Sequence, residues 1–249
     1  MRHSPPSSAR FFFTTAPLPC PYFADRIERR VVTELLGHDA NTLHDVLTHA
    51  GYRRSHGIAY VPACPECDAC VAVRIPVDEF RASKSQRRIF NRNDGLSAEI
   101  LEAQATEEQF VLFSTYQSSR HAGGDMEKMT SDDYRALVEE TNVNTRVVEF
   151  RDDDHNLIAC CLIDVLSDGL SALYSFYDPE IDPRRSLGAY MILWLVEQVK
   201  ILDLDYVYLG FWIEGCGKMS YKASYRPLEG YTAAGWQPLS PAKRKKMLP

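Results

Sequence analysis

The chain has 249 residues, of which 45% are hydrophobic and 25% charged, a composition typical of a globular protein large enough to bury a core. Its apolar stretches, such as 158–165, are far shorter than the roughly 20 residues that cross a bilayer, and the first residues lack the apolar core of a signal peptide. The net charge of −6 excludes nucleic-acid binding through the overall field of the protein, so any such contact requires a local basic patch. These features predict a cytoplasmic protein with no membrane partner.

Composition divides the chain into four predicted parts. Residues 1–13 are rich in Ser and Pro and are expected to be flexible. Residues 14–105 are dense in Cys, Arg and Tyr and form a predicted N-terminal domain. From residue 106 the charged residues become mostly acidic and the patterns regular, which predicts a second domain over 106–236. Residues 237–249 form a predicted basic tail.

Three closely spaced cysteines stand in PACPECDAC, at Cys64, Cys67 and Cys70. This spacing lets several thiolates reach one metal ion from a tight turn, and Cys20 in LPCPYF is the candidate fourth ligand. The run resembles part of a ferredoxin motif, so an iron–sulfur cluster is a candidate beside zinc. The alternative is a turn of reduced thiols that bind no metal.

The segment 81–93, RASKSQRRIFNRN, reverses the sign of the chain, because it contains five basic residues and no acid. Arg and Lys beside neutral hydrogen-bonding side chains are typical of phosphate contacts. The segment therefore predicts an anionic partner, and the alternative is a solvated basic surface. The candidate phosphate-binding residues are Lys84, Arg87, Arg88 and Arg92.

The second half of the chain predicts two helices, three strands, a helix and a final strand, because hydrophobic residues recur at helical or alternating spacing. This order predicts an α/β (α+β) fold, in which a Cys-rich N-terminal region precedes a mixed sheet packed by helices. It resembles the acyltransferase fold of the GNAT class. The predicted segments are helices beginning at Thr106 and near Ser131, strands over 145–151, 156–166 and 170–177, a helix over 187–202 and a strand over 206–213.

Motifs over roughly residues 14–236 resemble the leucyl/arginyl-tRNA–protein transferase family. They are CPYF, GYRRSHGIAYVPACPECDACVAVRIPV, FRASKSQRRIFNRN, YSFYDPE, SLGAYMIL and YVYLGFWIEGCGKMSYKASYRPLE. The cysteine run and the short length are similar to the bacterial aspartate/glutamate leucyltransferase branch. The chain departs from eukaryotic members at Phe23, where they carry a further cysteine. The resemblance implies transfer of leucine from leucyl-tRNA to an N-terminal Asp or Glu of proteins, which marks them for N-degron degradation.

The implied reaction is aminolysis of an ester that is already activated, so it requires no ATP, cofactor or catalytic metal. Asp178, just past a predicted strand, is the candidate that holds the incoming ammonium, and the alternative is a turn Asp before Pro179. Tyr177 and Tyr208 are candidates for stabilising the oxyanion or relaying a proton. The alternative for each tyrosine is half-buried packing in a strand.

Two groups of candidate binding residues flank the predicted helix over 187–202. Its N-terminus is a potential anion site for tRNA phosphates, formed by Arg185, Ser186 and Gly188. The candidates for binding the acidic acceptor are Arg184, Lys218, Tyr221 and Lys222, and the alternative for the lysines is a solvated loop.

Three other activities remain open from the sequence. The first is arginyl transfer within the same family, and the second is acetyl-CoA-dependent N-acetylation on a GNAT fold. Tyr190 in RRSLGAY occupies a position where the acetyltransferase loop has a small residue, which disfavours acetyl-CoA. The third is a non-enzymatic module that binds metal and RNA through the cysteines and the basic segment.

Overall fold

The computed structural model describes residues 10–239. The predictions for 1–9 and for most of the basic tail lie outside this range. No helix within it is long and apolar enough to cross a membrane. The helices are α1 (Ala40–His49), α2 (Lys84–Arg92), α3 (Glu107–Arg120), α4 (Ser131–Glu139) and α5 (Leu187–Ile201).

The N-terminal region contains two small sheets. One has the strand order β1-β4-β6-β5, and the other is the pair β2-β3. Their strands are β1 (Phe13–Thr14), β2 (Leu18–Pro19), β3 (Ile27–Glu28), β4 (Arg30–Glu34), β5 (Arg53–Ser55) and β6 (Ile58–Pro62).

A large sheet of eight strands forms the body of the molecule. Its strands are β7 (Cys70–Pro76), β8 (Ser97–Glu102), β9 (Thr145–Arg151), β10 (Leu157–Val165), β11 (Gly169–Tyr177), β12 (Tyr206–Ile213), β13 (Glu229–Thr232) and β14 (Gly235–Pro238). They lie in the order β14-β13-β7-β12-β11-β10-β9-β8.

The large sheet is mixed. Its strand pairs are antiparallel except for β11 and β12, which are parallel and are connected through α5. A parallel pair requires such a crossover, because its strands run in the same direction. The α/β fold and the mixed sheet packed by helices, both predicted from the sequence, are confirmed by this order.

Helices cover both faces of the large sheet. Cys161 of β10 packs with Met191 and other residues of α5, whereas the adjacent Cys160 packs with Phe113 of α3 and Tyr134 of α4. Strand β10 is therefore buried on both sides, which explains why its sequence LIACCLIDV is apolar without alternation.

Strand β7 brings the N-terminal region into the centre of the large sheet. It pairs with β12 on one side and β13 on the other, and α2 packs against α5. The predicted regions 14–105 and 106–236 therefore share one sheet, and the end of the first region contributes strand β8 to it.

A buried ion pair joins the small four-stranded sheet to the large one. Arg54 of β5 donates from Nε to Asp164 Oδ2 at 2.7 Å and from Nη2 to Oδ1 at 2.8 Å. His44 lies 3.4 Å from the same carboxylate, and burial lowers the pKa of this histidine. Loss of one partner of such a pair costs about 3–5 kcal/mol. The pair therefore holds β5, and with it the neighbouring Arg53, against the large sheet.

Candidate functional site

The parallel strands β11 and β12 pair only briefly. Gly169–Ser171 lies opposite Tyr206–Tyr208, and the pairing then ends. Beyond this point the register of β12 against β7 shifts, and Gly210 adopts a φ of +70°, which favours glycine. The separation opens a space between the two strands that lies against α5.

Arg53 reaches into this separation from β5. Its Nη2 donates to the carbonyl oxygen of Leu173 in β11 at 2.7 Å. On the other side the guanidinium lies against β12, where a Cβ added to Gly210 would stand 2.7 Å from Nη1. Successive strand residues point to opposite faces, so Arg54 binds Asp164 while Arg53 spans the separated strands.

The separation leads into a cavity of about 720 Å³. Its wall includes the C-terminal end of α3, part of α5 and the segment 218–222. Among the described residues that line it there is no Asp or Glu. In a chain of net charge −6, a cavity with only cationic charges favours an anionic ligand. The cationic side chains are Arg53, Arg120, Lys218 and Lys222, and His121 stands beside them.

Lys222 is the most buried of these cations, with 3% of its surface exposed. Its Nζ donates to the carbonyl oxygen of Phe211 in β12 at 2.6 Å. Burial and, to a smaller extent, the positive charge of Arg53 together lower the pKa of Lys222 to about 7. The structure thus places Lys218, Tyr221 and Lys222, three of the predicted acceptor-binding residues, in one cavity.

Tyr177 stands where this cavity meets a second pocket. Its ring packs against Tyr116 with centroids 4.9 Å apart, and burial raises the pKa of Tyr116. The second pocket has a volume of about 340 Å³ and shares Tyr177 and Arg120 with the larger cavity. The two spaces are therefore neighbours across these two side chains.

The second pocket lies in front of the N-terminus of α5. The first backbone N–H groups of a helix lack partners within the helix, which makes this end an anion site. Ser186, the N-cap residue, has a φ of +50°, and its hydroxyl accepts no hydrogen bond from the first amides of the helix. No side-chain cap therefore occupies these amides. A Cβ added to Gly188 would lie 3.6 Å from the ring of Tyr177. The pocket thus brings Ser186, Gly188, Tyr177 and Asp178 together.

Asp178 lines the second pocket but not the larger cavity. Its Oδ1 accepts from the amide of Glu180 at 2.8 Å, and its own amide donates to the carbonyl of Ile158 at 2.9 Å. These bonds form a turn that ends β11 before Pro179. Among the described residues, no hydrogen bond is made to Asp178 Oδ2, so this oxygen can accept from a cation.

Tyr208 lies away from both pockets. Its hydroxyl donates to Asp168 Oδ2 at 2.9 Å and accepts from Arg74 Nη1 at 3.2 Å, and burial raises its pKa. The Arg74 guanidinium lies 3.4 Å from the ring centre of Tyr206 and 4.4 Å from that of Trp236. This packing encloses Tyr208 at the paired end of β12, and the structure does not bring it to the other catalytic candidates.

Helix α2 packs against α5 and against the loop that precedes it. Its basic side chains Lys84, Arg87, Arg88 and Arg92 are exposed, as a phosphate-binding surface requires. Near its start, Gln86 Nε2 donates to the carbonyl of Ser224, and at its end Arg92 donates to the carbonyl of Arg184. The exposed side chain of Arg184 pairs with Asp182 at 2.6 Å and does not enter the larger cavity.

The four predicted metal ligands, Cys20, Cys64, Cys67 and Cys70, line one pocket of about 660 Å³. Burial and, to a smaller extent, the other three thiols together raise the pKa of Cys70 to about 11. Arg26 Nη1 donates to Cys67 Sγ at 3.1 Å. Within residues 10–239, however, no three Cys, His, Asp or Glu side chains adopt a metal-binding arrangement. The thiols converge, but binding one ion would require local movement.

Sequence reasoning missed several residues of the larger cavity, namely Arg53, Tyr116, Arg120 and His121. Arg53 stands in GYRRSH and reads only as local positive charge. It contacts Leu173 across 120 positions of sequence, and no local pattern indicates such a contact. Tyr116, Arg120 and His121 lie at the end of α3, where the sequence predicts a helix but not its neighbours.

Two family descriptions match the chain. Residues 18–88 match the N-terminal part of the arginine-tRNA-protein transferases, and residues 108–232 match the C-terminal part. The N-terminal match contains the four cysteines of the pocket and most of α2. Strand β8 lies between the two matches. The C-terminal match holds both strands of the separated pair and the α5 pocket.

Individual relatives agree with these matches. An aspartate/glutamate leucyltransferase from Paramagnetospirillum magneticum is 54% identical over 97% of this chain and 98% of the relative. One from Granulibacter bethesdensis is 52% identical over 94% of this chain and 87% of the relative. Among solved structures, L-PGS from Bacillus licheniformis is 13% identical with a TM-score of 0.46, over 74% of this chain and 53% of that one.

Proposed function

The chain belongs to the arginine-tRNA-protein transferase family, and we propose that it transfers leucine from leucyl-tRNA to an N-terminal Asp or Glu of acceptor proteins. The amino-acid specificity rests on the relatives, which are aspartate/glutamate leucyltransferases that match over nearly their whole length. The observation that carries the proposal is the acid-free cationic cavity beside the α5 pocket, because the two spaces suit two different anionic substrates.

The reaction forms one bond and breaks another at the ester carbonyl carbon. The α-amine of the acceptor loses a proton and attacks this carbon, so that a C–N bond forms. The C–O bond to the terminal ribose then breaks, and the ribose oxygen takes up a proton. An α-amine has a pKa of about 8, so a fraction of it is neutral at physiological pH. The enzyme has to align amine and ester and to stabilise the oxyanion.

The tRNA acceptor end belongs in front of α5. The helix amides and Ser186 there suit terminal phosphates, and Arg185 stands just before them. The exposed arginines of α2 continue this basic surface toward the body of the tRNA, since Arg92 is bonded to the loop that precedes α5. This places the ester near Tyr177, at the junction of the two pockets.

The acceptor N-terminus then approaches from the larger cavity. Asp178 Oδ2 is the group that holds the α-ammonium, and the Tyr177 hydroxyl is the donor for the oxyanion. Tyr208 takes no part in this scheme, because its hydroxyl is bonded within the packed Arg74 network. The product carries leucine at its N-terminus, which serves as a degradation signal in the cytoplasm.

The cysteine pocket takes no part in the bond-forming and bond-breaking steps, because an activated ester needs no metal to react with an amine. We propose that the four thiols hold a zinc ion or an iron–sulfur cluster with a structural role. The convergence of four cysteines on one pocket supports this proposal. The arrangement described here does not itself form a metal site.

A panel of charged tRNAs and peptides tests the proposed function. Labelled leucyl-tRNA and arginyl-tRNA are offered with peptides that begin with Asp, Glu or Lys and are otherwise identical. The proposal expects leucine to move to the Asp and Glu peptides and not to the Lys peptide. Transfer of arginine instead would assign the chain to the other activity of the family, and acetyl-CoA binding without any transfer would favour an acetyltransferase.

A further inference from the structure

Among residues 10–239, no Asp or Glu lines the larger cavity to balance its positive charges. Arg53 and Lys222 are the two cations that reach the separated strands, Arg53 from β5 and Lys222 from the segment after β12. They lie close enough for the charge of Arg53 to lower the pKa of Lys222. Lys222 is buried and Arg53 is partly buried, and holding two neighbouring cations there without an anion is unfavourable, so their presence calls for a reason.

Strand carbonyls account for only part of their hydrogen-bonding capacity. Among the described residues, Arg53 gives one bond, from Nη2 to Leu173, although a guanidinium carries five N–H donors. Within the same residues Lys222 gives one bond, to Phe211, although an ammonium carries three N–H donors. A neutral N–H donor of suitable length would satisfy either carbonyl as well. The charge of both residues is therefore in excess of what the fold uses.

We propose that Arg53 and Lys222 together bind the side-chain carboxylate of the acceptor's N-terminal residue and so select Asp and Glu. This inference rests on the proposed function and names the residues that determine its specificity. A carboxylate accepts two parallel bonds from a guanidinium and a further bond from an ammonium. Its arrival would also relieve the repulsion between the two cations.

The position of the pair fits the route of the acceptor. The cavity shares Tyr177 with the α5 pocket, so an acceptor residue whose carboxylate lies at Arg53 can direct its α-amine toward the ester. An N-terminal Asn has the same shape as Asp but lacks the charge. It would leave both cations unpaired, and that difference is the basis of selection.

Charge-removing variants separate recognition from structural support. Arg53→Gln and Lys222→Gln each keep an N–H donor for the strand carbonyl while removing the charge, and Arg53→Lys keeps the charge. Arg135→Gln is the matched control, because Arg135 is an exposed arginine of α4 that lines neither pocket. Initial rates of leucine transfer are measured with peptides that begin with Asp or Asn and are otherwise identical.

We expect either glutamine variant to raise the KM for the Asp peptide by about 30-fold or more, the effect of losing one partner of a desolvated charge pair. The KM for leucyl-tRNA should stay unchanged, the preference for Asp over Asn should fall, and Arg53→Lys should retain part of it. An unchanged Asp preference, or an equal loss of kcat with both peptides, would overturn the inference and leave Arg53 and Lys222 as structural supports.

Failure of the proposed function gives a different result. Wild-type protein that moves no leucine to any peptide contradicts the function itself. Calorimetry with the same Asp and Asn peptides then tests the pair independently of transfer. Tighter binding of the Asp peptide that is lost in Arg53→Gln supports the inference, and equal binding of both peptides to the wild-type protein overturns it.

Discussion

Asn93 and Arg185 exchange two hydrogen bonds between the end of α2 and the loop that precedes α5. Asn93 Nδ2 donates to the backbone carbonyl of Arg185 at 2.8 Å, and Arg185 Nε donates to Asn93 Oδ1 at 2.8 Å. Asn93 is fully buried, so this contact is protected from water. It holds the end of the basic helix against the loop that leads into the α5 pocket.

Replacing Arg87 and Arg88 with Ala is expected to weaken leucyl-tRNA binding and to flatten its dependence on salt. Each phosphate contact that is lost reduces the slope of log affinity against log salt by about one unit. Affinity is measured by titration at several salt concentrations, with Arg135→Ala as an exposed-arginine control. If the double variant matches the control in both affinity and slope, α2 is a solvated surface.

Asp178→Asn is expected to reduce leucine transfer to an Asp-initiated peptide by at least about ten-fold, because a neutral amide pairs less well with the ammonium of the acceptor. The turn should persist, since Asn also accepts from the amide of Glu180. Single-turnover transfer is measured together with tRNA affinity and thermal unfolding, both of which should be unchanged. Near-normal transfer by the variant would leave Asp178 as a turn residue only.

Lys222 should make the stability of the protein depend on pH above neutrality. Burial lowers the pKa of its folded form to about 7 from an ordinary value of 10.5. Between these two pH values the unfolded chain binds more protons than the folded protein, so the contribution of Lys222 to stability rises with pH. Below about pH 7 this contribution no longer depends on pH. One pKa unit corresponds to about 1.4 kcal/mol.

Urea unfolding of the wild-type protein and of Lys222→Met, at pH 6 and pH 8.5, measures this effect. The wild-type protein should gain about 1–2 kcal/mol more than the variant between the two conditions. The comparison with the variant removes the contributions of other titrating groups. Identical pH dependence of the two proteins would mean that Lys222 keeps its ordinary pKa in the folded state.

The strongly periodic parts of the fold could be predicted from the sequence. The helix start at Thr106 is confirmed, with Thr106 and Gln109 forming a capping box, and β9 and β12 have their predicted bounds. The position of β7 at the centre of the sheet could not be predicted, because strand pairing over long sequence distances leaves no local pattern.

The part of the candidate site that lies in one stretch of sequence could also be predicted, whereas the parts that depend on long-range packing could not. Tyr177, Asp178, Ser186 and Gly188 could be proposed together because they lie in one continuous segment at a strand end and a helix start, and they line one pocket in the structure. Arg53 was missed because its role depends on where β5 docks. Tyr208 was proposed for catalysis because strand alternation does not reveal that its hydroxyl meets Arg74 and Asp168.

The cysteine pocket is expected to contain a metal centre that depends on all four thiols. Elemental analysis of anaerobically purified protein should find zinc or iron, and Cys67→Ser should lose it. Cys216→Ser is the control, since Cys216 is a cysteine outside the pocket. Protein without metal, whose four thiols titrate freely in the folded state, would show that the cysteines form only a turn of reduced thiols.

In the proposed reaction the α-amine of an acidic N-terminal residue accepts leucine from tRNA. Tandem mass spectrometry of an Asp-initiated peptide, after incubation with the protein and leucyl-tRNA, identifies the atom that receives the leucine. We expect one added leucyl residue, joined through a peptide bond to the α-amine of Asp. A peptide that returns unmodified while leucyl-tRNA remains charged, or one that carries leucine on a lysine side chain, would contradict it.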